Sequence, residues 1–185
     1  MLCESWSSVS NKSTMSNNPF LQLSGNPIWQ DLKPNKIRED ITLALEKAEG
    51  NLQKIRELQP DETTFTNTVK ALEHASYELN YAWGLITHLD AVCNSPELRE
   101  AHNEMLPAVS TFAAKITLDP QLWNALQAFS KSEEASTLNS IDQRLLDETL
   151  LDFREAGADL PGNKRARLEE ISQELAQVTQ KFSEQ

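Results

Sequence analysis

From Lys36 onward, apolar residues return every third or fourth position, the repeat of a helix with one buried face. Ile37, Ile41, Leu45, Ala48, Leu52, Ile55 and Leu58 carry this pattern from Pro34, well suited to a first helical position, to a stop at Pro60. Gly50 is the expected point of a bend. The segment Asp61-Glu62-Thr63-Thr64 supplies a cap and an acidic first turn for a second helix, with Phe65, Val69, Leu72, Leu79, Trp83 and Ile86 on one stripe to about Val92. Ser95-Pro96-Glu97 opens a third, which carries Leu98, Ala101, Met105, Val109, Phe112 and Ile116, and Pro107 is expected to kink it. Asp119-Pro120 starts a short fourth helix with Leu122, Leu126 and Phe129, and a Ser/Glu-rich link follows over 130–136. Ile141, Leu145 and Leu151 to Phe153 make a fifth that stops near Gly157. After Pro161-Gly162, a sixth places Leu168, Ile171, Leu175, Val178 and Phe182 on a single stripe. No alternating run reaches the length of a strand. The expected fold is all-α, with about six helices forming an antiparallel array.

The ends read differently. Residues 1–14 are Ser-, Asn- and Thr-rich with no basic or apolar leader region, so 1–16 reads as disordered or as a mis-assigned start, with Met1 and Met15 both open as the first residue. Residues 17–33 read as an extended segment whose Phe20, Ile28 and Trp29 tuck against the first helices. The last stripe is still running at Phe182 with no Gly, Pro or basic closing turn, so the 17–185 domain reads as truncated at its C-terminus.

Charge and composition narrow the chemistry. The chain has 185 residues with 17 Lys+Arg against 28 Asp+Glu, a net charge of −11. Such an excess repels nucleic acid and anionic lipid, and no stretch is long and apolar enough for a membrane span. Cys3 and Cys93 are the only cysteines, which makes neither a disulfide framework nor a CxxC pair, so a cytoplasmic setting is expected. The three histidines, His74, His88 and His102, are not spaced to hold zinc together. His74 and Glu78 share a helical turn, the spacing of a surface contact more often than of two metal ligands. Cys93 has no histidine in a recognisable motif and reads as a small buried residue. Lys164, Arg165 and Arg167 are offset by Glu169, Glu170 and Glu174 in the following turns. No catalytic, cofactor-binding or metal-binding residue is therefore assigned.

Several stretches, taken in order, resemble the N-terminal region of the thimet oligopeptidase family of zinc metallopeptidases, and look closest to its bacterial oligopeptidase A branch. They are Asn18-Pro19-Phe20; Trp29 to Pro34; Thr64 to Val69 with Leu72-Glu73; Trp83 to Pro107, including Thr87-His88-Leu89 and Asn94 to Ala101; Asp152-Phe153-Arg154 with Gly157-Ala158 and Leu160-Pro161; and the helix closing on Phe182-Ser183. The resemblance implies a two-lobed helical enzyme around a narrow channel that admits short peptides and excludes folded proteins, with this chain as channel wall. It also implies that zinc is the full-length cofactor. The H-E-x-x-H helix, the third Glu ligand and the substrate-orienting Tyr and His fall beyond the equivalent of Gln185, so no catalytic role passes to this chain, His88 included.

Two readings compete. In the first, the chain is the N-terminal domain of a zinc-dependent oligopeptidase, inactive alone, and its partner is the missing C-terminal catalytic part. In the second it is a stand-alone, non-catalytic helical interaction module. An unpaired apolar face on the Leu168 to Phe182 helix is expected from the first and not from the second.

Overall fold

The computed structural model describes residues 17–23 and 25–183. The expectation for residues 1–16 lies outside them. Among the described residues the secondary structure is helical throughout, without strands, as the periodicity requires. Helix α1 (Pro34–Arg56) begins on the predicted proline and runs unbroken through Gly50. The second predicted helix is divided. It opens as a π-helical stretch (Phe65–Lys70), continues as α2 (Ala71–Ala75), breaks at Ser76 and resumes as α3 (Tyr77–Val92). Then come α4 (Pro96–Leu118), continuous through Pro107, α5 (Pro120–Ser130), α6 (Glu133–Ser136), α7 (Ser140–Glu155) and α8 (Gly162–Ser183). The predicted 130–136 link is thus largely a single helical turn, capped by the Ser132 hydroxyl, which accepts the Ala135 N–H at 3.2 Å.

The chain forms two compact units whose boundaries fall inside α1, between Glu46 and Lys47, at the Ser76 break, and inside α4 at Leu106/Pro107. The first unit joins the segment before α1, the first half of α1, α3 and the start of α4. Its core contains Phe20, Ile37, Ile41, Ala82 and Ile86, each with no exposed surface. Phe20 is fixed by an unusual partner. Asp40 on α1 is fully buried, and its carboxylate accepts the Phe20 N–H at 2.8 Å and the Asn18 side-chain amide at 2.9 Å. A carboxylate can be buried there because donors replace the water it loses. Burial nevertheless outweighs the Asn18 and Phe20 donors and holds its carboxyl above the ordinary range.

The second unit is organised around α5. Leu122, Leu126 and Phe129 are fully buried among Leu52 and Ile55 of α1, Phe65 and Val69 of the π-helical stretch, and Leu146, Leu150 and Phe153 of α7. Trp123 stacks on Phe153 at 6.2 Å between ring centres, and Phe65 meets Phe129 at 6.1 Å. Asp119 serves two purposes at the head of α5. One carboxylate oxygen accepts the Gln121 and Leu122 N–H groups at 2.8 and 3.2 Å, and the other accepts Arg56 Nε at 2.7 Å. The cap anticipated from Asp119-Pro120 is therefore also a strut between α5 and the end of α1.

The turn out of α7 decides where α8 starts. Gly157 has φ +96°, outside the range that side-chain-bearing residues favour. Its N–H donates to the Arg154 carbonyl at 2.9 Å, and the next N–H, that of Ala158, reaches back to Phe153 at 2.8 Å. This pair of bonds is a Schellman ending, and its usual apolar contact is supplied by two buried residues, Ala158 and Phe153.

Candidate functional site

Each group with potential chemistry is held in a structural arrangement. His74 in α2 has Nδ1 2.8 Å from the Lys70 carbonyl, and the break at Ser76 falls between it and Glu78. His88 lies 5.8 Å from the Trp29 ring, while His102 stacks almost parallel on Trp83 at 4.8 Å. His102 thus covers a tryptophan face, whereas His88 meets Trp29 at a tilt of 48°. Cys93 is half-buried just past the end of α3, against the expectation of full burial, because it lies in the turn beyond the packed helix. Among the described residues no group of three His, Cys, Asp or Glu could hold a metal ion. A catalytic zinc takes three protein ligands, so the described residues do not fit it.

Two features of the first unit come nearest to a ligand site. A hollow of about 660 Å³ is lined by Asn94, Ser95, Pro96, Arg99, Glu100 and Asn103, all from one stretch around the start of α4. There the Ser95 hydroxyl caps the helix by accepting the Leu98 N–H at 3.2 Å. The Glu97 carboxyl is held below its ordinary range by its own backbone N–H and by Ser95. These groups complete a helix end. The second feature is Asp90 Oδ1, the one buried side-chain oxygen without a hydrogen bond among the described residues, near the C-terminal end of α3.

The largest departure from an ordinary surface is on α8. Leu168 is half-buried, and its Cδ2 lies 2.7 Å from the point where a Cβ on Gly157 would stand, so the first turns of α8 rest on the α7 ending. Beyond it, Ile171, Leu175, Val178 and Phe182 are 45%, 63%, 63% and 79% exposed. Their spacing of four, three and four puts them on one face. Scattered apolar residues on a surface need no explanation, whereas four in a continuous stripe do. Sequence periodicity located these residues but implied nothing about what covers them.

Together the described residues build an all-helical domain whose most distinctive surface is apolar. The chain belongs to the neurolysin/thimet oligopeptidase family: the description of its N-terminal domain matches residues 35–165. It is similar to a probable cytosolic oligopeptidase A of Arabidopsis thaliana, 30% identical over 176 residues, which covers 95% of this chain and 25% of that protein. The oligopeptidase A of Haemophilus influenzae is 29% identical over 166 residues, 90% of this chain and 24% of the relative. An organellar oligopeptidase A of Arabidopsis, chloroplastic/mitochondrial, is 31% identical over 177 residues, 96% of this chain and 22% of the relative. The chain therefore spans about a quarter of the length of these relatives. No helix among the described residues is long and apolar enough to cross a membrane.

Proposed function

We propose that this chain is the N-terminal helical domain of a zinc-dependent oligopeptidase acting on short peptides, and that it is inactive by itself. The observation that carries this reading is the family match over residues 35–165 in a chain spanning about a quarter of its oligopeptidase A relatives. In the complete enzyme the domain acts sterically. Its helices form part of the wall of a channel, and a folded substrate would have to unfold to enter, at a free-energy cost that short peptides do not bear. Bond cleavage belongs to a zinc-bearing part outside this chain, which is also its partner. One relative, named probable cytosolic, supports a cytoplasmic location, and the charge of −11 argues against nucleic acid or anionic membrane as partner. The exposed α8 stripe favours this reading over an independent interaction module, which would gain solubility from a polar face there.

The test is direct. The purified chain is dialysed against zinc, freed of loosely held metal, and assayed with an internally quenched peptide. The expected result is substoichiometric zinc and no cleavage above the buffer blank. One tightly held zinc per chain together with hydrolysis would overturn the proposal.

A further inference from the structure

We infer that α8 is the seam on which the rest of an oligopeptidase chain docks, its stripe of Ile171, Leu175, Val178 and Phe182 receiving an apolar face from the segment that in relatives comes after the matched quarter. This rests on the family reading above and names the surface involved.

Three observations converge on that occupant. The match to the N-terminal domain ends at residue 165, four residues into α8. The stretch shared with the Arabidopsis cytosolic relative is longer than that domain: it covers 95% of this chain, which leaves about a twentieth unmatched, so it runs on well into α8. Helix α8 thus falls within the stretch shared with a full-length relative while lying mostly beyond the residues matched to the N-terminal domain, and about three quarters of each relative is available to cover it. Finally, among the described side chains of α8 only Leu168 at its head is half-buried, and exposure rises along the stripe from 45% at Ile171 to 79% at Phe182.

Area and charge separate this occupant from a second copy. At roughly 150–250 Å² per large side chain, the exposed fractions leave about 500 Å² of apolar surface on the stripe. Two copies paired through it would bury about 1,000 Å² in total, at the bottom of the range for specific interfaces. They would also bring together two chains of charge −11 each. A segment of the same polypeptide meets the stripe at high effective concentration and needs no larger area.

The experiment has two parts and uses the full 185-residue chain, wild type and Leu175→Glu/Val178→Glu. In sedimentation velocity up to about 100 μM, an unpartnered docking face gives concentration-dependent, heterogeneous association that the double variant relieves. A discrete dimer lost in the variant would assign the face to a second copy and overturn the proposal, as would a wild type that stays monomeric and binds no bis-ANS. In the second part, the chain is co-expressed with the Haemophilus influenzae oligopeptidase A lacking its matched quarter, with that quarter supplied separately as the control. Co-purification at least tenfold weaker with the double variant supports the seam. Undiminished co-purification overturns the seam and leaves the family reading standing. Failure of the wild-type chain where the control succeeds overturns both, and if the control also fails the sedimentation result decides.

Discussion

Replacing Gly157 with alanine tests whether the turn after α7 sets the position of α8. At φ +96° the new side chain would occupy a backbone conformation that costs an L-residue about 1–2 kcal/mol. Its Cβ would also stand 2.7 Å from Leu168 Cδ2 and 2.8 Å from Leu160 Cδ1, closer than carbon atoms approach. Both obstacles are the ends of flexible side chains, so each can rotate away at about 0.5–1.5 kcal/mol. The loss of chain entropy in the unfolded state returns roughly 0.4–1 kcal/mol. The net expectation is a destabilisation of about 2–3 kcal/mol in urea unfolding at 25 °C, followed by tryptophan fluorescence and far-ultraviolet circular dichroism. A Gly157→Ala/Leu168→Ala cycle then separates the two causes. Truncating Leu168 removes its overlap but leaves the strained φ, so the pair should couple by about 0.5 kcal/mol or more while most of the loss persists. A single-variant effect below about 0.5 kcal/mol would show that the left-handed turn does not constrain the start of α8, and a large effect without coupling would show that the Leu168 contact does not.

Asp119 offers a second comparison. Asp119→Asn keeps a good helix cap but loses the charge facing Arg56, whereas Asp119→Ala loses both, and the two side chains of the ion pair are only 13% and 15% exposed. Urea unfolding should place the Asn variant about 1 kcal/mol below wild type and the Ala variant about 1 kcal/mol lower again, since Glu49 still pairs with Arg56 at 2.7 Å; equal losses would mean that the cap contributes nothing. Asp40 gives a pH dependence. Its carboxyl is held above the ordinary range, chiefly by burial, so the folded state keeps a proton that the unfolded chain has released. The stabilisation this gives is complete below the ordinary carboxylate value and is lost as the pH rises through the folded one. Wild type should therefore gain stability relative to Asp40→Asn as the pH falls from 7 towards 4, by about 1.4 kcal/mol for each tenfold difference in proton affinity. A gap that stays constant or narrows on acidification would refute the assignment.

How far the sequence could be read depended on which physical signal each element carried. Helix starts were legible because caps are local chemistry. Pro34, Ser95-Pro96 and Asp119-Pro120 lie where α1, α4 and α5 begin. The Ser76 break was not legible. Leu72 and Leu79 are seven positions apart, close to two turns, so the stripe continues across a break that assigns Val69 and Leu79 to the cores of different units. Nor could periodicity reveal that Asp40 is buried, since its partners Asn18 and Phe20 come from some twenty positions away. The settings of His88, His102 and Cys93 were not legible either, because they depend on Trp29, Trp83 and the turn after α3, which only tertiary structure brings together. Helix α8 marks the limit most clearly. The stripe that buries Ile37 and Ile41 in α1 has the same spacing as the one that leaves Leu175 and Val178 exposed, because a repeat of three and four reports that a face is apolar and not what lies against it.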